Sequence, residues 1–453
     1  MNTHVNINPA RISIVSIPRD KYWIFTSSVL QLLYKESSSG NNSLEYSEGD
    51  LDEEDFDPLL ESSSRIHKRN SVSSANSSKR SSTASTHFDS TNPLENSFKQ
   101  SSTSSNPDSI KPPDNSSKIQ DETWGTVRDR ELSPEISTDS DVEENYFFHI
   151  AFTPTECTIM CSTSLSYMFE QPLQICRELG YSDVKLLDDT FLSLQVDGDG
   201  CFDNSRRILE LTKPLSDNSI PLFFLLSHFN DIVLIPYHLK EKVFTILTNK
   251  NFEFPDSVEG DDETNFNVQL AQEVDFRMLE DKTFSLFQEA RIKPAIHSDM
   301  KLLLTGARSG EVNSTIMKTA KILTSASTIP AYFAITRTSI NEVSLILPKS
   351  SKKRRLMGFD VKNIIGSTQD VIIPISIDFH KLPLDCTGLV AGVASKLLNG
   401  IKQLSSEENL FEMNYFSMAR SGIIMIPQEN VEIVGKVLDD INYTFDNELT
   451  ISP

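Results

Sequence analysis

Two stretches of this chain repeat one another in order and spacing, and the repeat limits the folds open to it more than any single motif does. Thr155, Glu156, Cys157, Thr158, Ile159 and Met160 are matched by Asn341, Glu342, Val343, Ser344, Leu345 and Ile346, an offset of 186 residues. Both run glutamate, apolar, hydroxyl, then two apolar residues. Residues 231–236 and 422–427 parallel each other at an offset of 191, and a helical apolar pattern follows each, over 243–247 and 434–438. Self-similarity at a fixed long offset means one structural unit used twice.

The unit itself reads from periodicity. Apolar residues alternate over 11–18 as in a half-buried strand; 23–25 reads as strand or turn and 29–33 as a helix. Strands follow at 147–152, 157–161 and 191–196, then a helix over 205–215 behind Asp203, a good N-cap type. Strands at 221–226 and 232–235 and an amphipathic helix at 239–247 complete a β-α-β-β-α order. That order is the ferredoxin-like α+β sandwich. The expected fold is therefore α+β: tandem ferredoxin-like βαββαβ modules, four of them in two pseudo-repeated halves. Their expected limits are 10–35 with 145–185, then 186–255, 271–362 and 363–446, with a weakly patterned acidic linker at 256–270.

Composition matters at one place. The chain is only 38% hydrophobic, against roughly 45–50% for ordinary globular chains. The deficit sits in residues 36–144, which are serine-rich and carry 23 acidic and 10 basic residues, so −13 of the net charge of −22. Such a segment cannot bury enough apolar surface to offset its backbone entropy. It interrupts the first module, because the short pieces on either side of it could not fold alone. A disordered insertion is expected there, leaving a mildly acidic folded remainder.

The same numbers exclude several functions. A charge of −22 repels phosphate backbones and anionic lipid, and no basic patch of useful size is apparent, so nucleic acid is not an expected partner. The longest apolar runs fall well short of the roughly 18–20 residues that cross a bilayer, so no membrane insertion is expected. Five cysteines without a CxxC pair read as free thiols of a cytoplasmic protein. Cys157 and Cys161 lie on one strand face, roughly 13 Å apart, too far to share a metal. The glycines of 197–201 and 306–310 lack the rest of a phosphate loop, no histidine pair has zinc-helix spacing, and no nucleophile elbow is present. No catalytic residue, metal or cofactor is expected.

What remains is a repeat of regulatory-type modules. Modules that pair edge to edge leave a crevice in which loop backbone groups can hold the charged ends of a small ligand. The best sequence candidate is 384–390, running through Asp385, Cys386, Thr387 and Gly388 into a helix at Leu389 and Val390. First-turn amides lack intrahelical partners and can donate to a carboxylate. Gly388 permits close backbone approach. Asp385 is either a helix cap or an ammonium acceptor, and a plain capped turn accounts for the spacing equally well.

Five stretches in order, 11–25 with 30–34, 147–160, 219–247, 331–348, and 384–398 with 415–438, resemble the cytosolic arginine sensor (CASTOR) family, built from four ACT modules and regulating the TORC1 kinase pathway. The resemblance implies a ligand between the second and fourth modules. Aligned positions there are Pro221 and Leu222; Asp385, Cys386, Thr387, Gly388, Leu389 and Val390; and Met418, Ala419 and Gly422. Cys386 and Gly422 stand where that family has acids facing the cationic end of arginine. A guanidinium buried without them costs roughly several kcal/mol, so a smaller or apolar amino acid, or none, is expected in place of arginine. Arg420 close by is either a solvated loop residue or a bias toward an acidic ligand.

The expected function is thus a non-enzymatic ACT-repeat regulator of nutrient signalling, acting through protein partners and compatible with a homodimer. Ser71 and Ser82 follow two basic residues and Ser140 precedes acids, as kinase sites do. The alternatives are a ligand-free scaffold governed by phosphorylation of 36–144, and an ACT-type regulatory subunit of an amino-acid metabolic enzyme.

Overall fold

The computed structural model describes residues 3–38, 147–197, 204–254, 275–404 and 411–449. The chain divides into one unit of 1–46 with 141–453 and another of 47–140, and every described residue belongs to the first. The candidate serines Ser71, Ser82 and Ser140 and the 256–270 linker lie outside the described residues.

The first half runs β1 (Thr3–Pro18), α1 (Thr26–Ser38), β2 (Phe148–Phe152), β3 (Glu156–Ser162), α2 (Glu170–Glu178) and β4 (Lys185–Leu186). It continues β5 (Phe191–Asp197), α3 (Asn204–Asp217), β6 (Phe223–Leu226), β7 (Asn230–Pro236), α4 (Lys240–Thr248) and β8 (Phe252–Glu253). The second half opens with α5 (Phe276–Ala290) and β9 (Ala295–Ile296). Then come β10 (Leu302–Ala307), α6 (Val312–Leu323), β11 (Phe333–Arg337), β12 (Val343–Pro348), α7 (Ser351–Leu356) and β13 (Ile364–Ile365). It closes with β14 (Ile372–Asp378), α8 (Leu389–Leu404), β15 (Asn414–Ser417), β16 (Ser421–Pro427) and α9 (Val431–Leu449).

The strands form one sheet in the order β15-β16-β14-β10-β12-β11-β2-β3-β1-β5-β7-β6. β1 is longer than its alternating pattern predicts because it serves two neighbours. Its first part pairs with β5 (Val5 opposite Val196) and its second with β3 (Val15 opposite Ile159). The changeover is a register shift between Asn8 and Ile12, where Pro9 has no N–H to give and the Asn8 side chain accepts from Ala10 N–H at 3.0 Å. The two halves join where β2 and β11 run antiparallel, Ala151 opposite Ala334. The two end strands also meet, since Phe224 N–H in β6 donates to Ser417 Oγ in β15 at 2.9 Å.

Helices cover the sheet in two blocks. Phe25, Leu33 and Ile159 from the first half share a core with Ile316, Phe333 and Leu345 from the second. Leu215, Phe224 and Val233 share another with Ile375, Val393 and Ile424. Each such fully buried side chain contributes roughly 1.5–3 kcal/mol, and it is these shared cores that bring distant parts of the chain to one seam. Cys157 and Cys161 both lie in the first core, and burial pushes both thiols up, Cys161 to about 12.

The limits 271–362 group α5 and β9 with the β10–β13 segment, but β9 pairs with β14 (Ala295 opposite Ser376) and α5 packs on α8. An open strand edge takes whichever strand reaches it, and sequence adjacency does not decide which that is.

Candidate functional site

The seam between the β5–β8 and β14–β16 segments holds a cavity of about 230 Å³. The start of α8 lines it, reached through a turn whose backbone conformation favours glycine. Gly388 sits at φ +86°, and a Cβ there would lie 2.7 Å from Ser216 Oγ of α3. The close approach foreseen for this glycine is therefore to α3. Leu389, Val390 and Ala391 present the first turn of α8 on the wall, and first-turn amides have no intrahelical acceptor. Pro221, Leu222 and Phe223, leading into β6, line it too, with Met418 and Ala419 from the β15–β16 turn.

All the candidate seam residues line this cavity except Thr387 and Gly422. Gly422 lies one position beyond the lining Ser421, and its face is already covered: a Cβ there would be 2.2 Å from Tyr415 Oη and 2.9 Å from the Phe379 ring. Aromatic groups therefore fill the place where a carboxylate was looked for. Arg420 is absent from the lining, and its guanidinium donates to the His380 carbonyl at 2.6 Å. A bias toward acidic ligands through Arg420 is thus not supported.

The sequence reading missed two acids. Asp188 and Asp189, just before β5, line the same cavity as Asp385, and all three are exposed at its edge. The lining contains no lysine, arginine or histidine; outside it, His238 Nδ1 lies 3.7 Å from Asp189 Oδ1. The signal available was the paired aspartates at a strand start, a position that places side chains at the end of a sheet. The lining combines first-turn amides, carboxylates at its edge and an apolar body, which suits a small zwitterion better than an anion.

The β15–β16 turn is fixed from behind by β3. Glu156 Oε1 accepts from Arg420 N–H at 2.8 Å and from Thr158 Oγ at 3.0 Å, and Oε2 accepts from Ser421 Oγ at 2.9 Å. Thr158 Oγ in turn accepts from Ala419 N–H at 3.0 Å. Burial pushes the Glu156 carboxyl up, while the hydrogen bonds from Arg420, Ser421 and Thr158 pull against that shift.

Among the described residues, no three His, Cys, Asp or Glu side chains gather as a metal site, and no helix is long and apolar enough to cross a membrane.

Residues 186–249 and 367–440, the two sides of the seam, match the ACT domain family. Comparison with curated proteins yields no match. Among solved structures, protein Atu0741 from Agobacterium tumefaciens is similar at 16% identity over 24% of this chain and 85% of its own, with a TM-score of 0.18. The aspartate kinase from Synechocystis is similar at 10% identity and a TM-score of 0.23, over 65% of this chain and 48% of its own length.

Proposed function

We propose that this chain is a non-enzymatic regulatory protein of four ACT modules that binds a small amino acid at the seam and passes its presence to protein partners. The two ACT segments support a small-ligand regulatory role. The observation that carries the ligand class is the cavity's own polarity. First-turn amides at Leu389, Val390 and Ala391 face the needs of a carboxylate, and Asp188, Asp189 and Asp385 face those of an ammonium. The volume of about 230 Å³ is below the roughly 300–1,000 Å³ of pockets for drug-sized ligands, and the aromatic cover of Gly422 removes the deep acid that a guanidinium needs.

A ligand here touches both α8 and the β15–β16 turn, which Glu156 ties to the other half. Differential binding to two arrangements of that junction would shift their populations. The readout we favour is nutrient signalling of the TORC1 type in the cytoplasm, by resemblance to the CASTOR sensors.

The test is a thermal-shift screen of the full chain against the twenty amino acids, repeated with Asp188→Asn and Asp385→Asn together. A shift with one small amino acid that the double variant abolishes is expected. No shift at millimolar ligand would overturn the sensor reading and leave a ligand-free scaffold.

A further inference from the structure

A second cavity, of about 780 Å³, lies away from the seam, within residues 299–357. Its apolar lining is almost wholly aliphatic: Leu302, Ile322, Ile329, Pro330, Pro348 and Leu356 are representative, and Tyr332 is the one aromatic side chain on the wall. Leu356 is left 79% exposed at its edge. Around this floor stand Lys301, Lys321, Lys349 and Lys353, against the single acid Asp299. Lys321 of α6, Lys353 of α7, and Lys301 and Lys349 at the ends of β10 and β12 are separate in sequence and meet only on folding.

The backbone fixes that meeting. Lys349 N–H donates to the Lys301 carbonyl at 2.8 Å, which sets these two residues side by side. Buried Arg354 donates to the carbonyls of Pro348 and Lys349, binding α7 back onto the end of β12 and so setting where Lys353 stands. The Lys349 ammonium is taken by the Thr368 carbonyl. Lys301, Lys321 and Lys353 have no ion-pair partner among the described residues.

Three exposed ammonium groups, without an ion-pair partner among the described residues, stand around one apolar groove against one acid, Asp299, an excess of positive charge that favours a bound anion. Ammonium groups meet carboxylate or phosphate as point charges. A flat heteroaromatic ring finds little to stack on along this wall, whereas a hydrocarbon chain finds apolar surface along its length. We propose that this groove binds one anionic amphiphile, a fatty-acid or lysophospholipid type of molecule. Its chain lies on the aliphatic floor out to Leu356, and its carboxylate or phosphate is held by Lys301, Lys321 and Lys353.

Titration calorimetry of the full chain with oleate and with oleoyl lysophosphatidate tests this below their micellar concentrations. Binding of one molecule per chain is expected, weakening as salt rises from about 0.05 M to about 0.3 M. Binding of oleate alone identifies a carboxylate head, and of lysophosphatidate alone a phosphate head. Lys301→Glu with Lys353→Glu is expected to weaken it about tenfold or more, with an unchanged circular dichroism spectrum. Leu356→Asp, at an exposed position, reports on the chain separately and is expected to weaken binding too. The proposal is overturned if neither probe binds, if neither variant weakens binding, or if a neutral dodecyl glycoside binds as tightly. Binding to phosphatidylserine vesicles without binding of either monomer also overturns it, in favour of a membrane-surface patch.

Discussion

Glu156 in β3 accepts the backbone N–H of Arg420 at 2.8 Å, joining a strand of the first half to the hairpin turn that closes the seam cavity in the second. Beside it, Thr158 Oγ accepts Ala419 N–H at 3.0 Å. The other half repeats the second contact: Ser344 Oγ accepts His228 N–H at 2.8 Å and meets Ser227 Oγ at 2.8 Å. Thr158 and Ser344 are mates at the 186-residue offset, and His228 and Ala419 are mates at 191. Each half thus holds the other's hairpin turn with the same hydroxyl of its repeat.

Removing those hydroxyls one at a time measures this exchange. Thr158→Val and Ser344→Ala each orphan a backbone N–H, at an expected cost of about 1–2 kcal/mol. The sites share no hydrogen-bond partner, so the double variant is expected to lose the sum to within about 0.5 kcal/mol. Urea unfolding of the four proteins checks this. A double variant no worse than either single one would mean that the halves are not held independently.

Glu156 should matter more than either hydroxyl. Glu156→Ala strands the Arg420 N–H and the Ser421 and Thr158 hydroxyls together, with an expected loss of roughly 2–4 kcal/mol. Glu156→Gln retains one acceptor oxygen and is expected to lose less. If the turn must be held to shape the cavity, the amino-acid thermal shift falls with the same ranking. Equal stability of Ala and Gln variants would show that the carboxylate's hydrogen bonds contribute little.

His149 gives a pH dependence whose sign is fixed by burial. It is fully buried on β2 with Nδ1 2.8 Å from Thr336 Oγ, its ring lies against Phe416, and Nε2 has no hydrogen-bond partner. Desolvation lowers its pKa from 6.5 to about 3. The unfolded chain therefore takes up the proton first. The contribution is complete above pH 6.5 and is lost as pH falls from there toward 3, at about 1.4 kcal/mol per pH unit. Between pH 6.5 and 5 the wild-type chain should lose about 2 kcal/mol more than His149→Phe, as measured by urea unfolding at the two pH values. Parallel losses in the two proteins would place the acid sensitivity elsewhere.

The repeat made much of this legible. Glu156 and Thr158 already stood out as one copy of a repeated pattern, and the order of strands and helices around them followed from periodicity. Their partners did not. Glu342, the repeat mate of Glu156, accepts from Thr338 in its own half at 3.2 Å, so residue type alone could not reveal which glutamate crosses the junction. Asp188 and Asp189 reach the cavity because β5 starts beside the seam, and β9 leaves its sequence neighbours for β14 because that edge was open. Such facts depend on long-range pairing, on which local sequence has no hold.

Gly388 is the position where the seam's geometry is least forgiving. Its φ of +86° costs any side chain, and a Cβ would also press to 2.7 Å from Ser216 Oγ. Gly388→Ala should destabilise by roughly 1–3 kcal/mol. Adding Ser216→Ala removes the closest contact and leaves the backbone cost and Leu279 Cδ1 at 3.0 Å, so partial recovery is expected. Full recovery would mean that the turn tolerates a side chain.

Gly422 tests whether cation specificity can be installed by one substitution. The resemblance to arginine sensors invites Gly422→Asp, yet a Cβ at this position lies 2.2 Å from Tyr415 Oη, and Tyr415 is buried in the core shared across the seam. The carboxylate would either expel that ring or be forced against it, and overpacking of this kind costs roughly 1–3 kcal/mol. Gly422→Asp alone is therefore expected to lower the melting temperature and to gain no arginine response. Because the Phe379 ring also lies 2.9 Å from that Cβ, Gly422→Asp with both Tyr415→Leu and Phe379→Leu is the combination expected to show an arginine-dependent thermal shift. An arginine shift from the single variant would mean that the aromatic cover moves aside readily, and that the seam is less rigid than its packing implies.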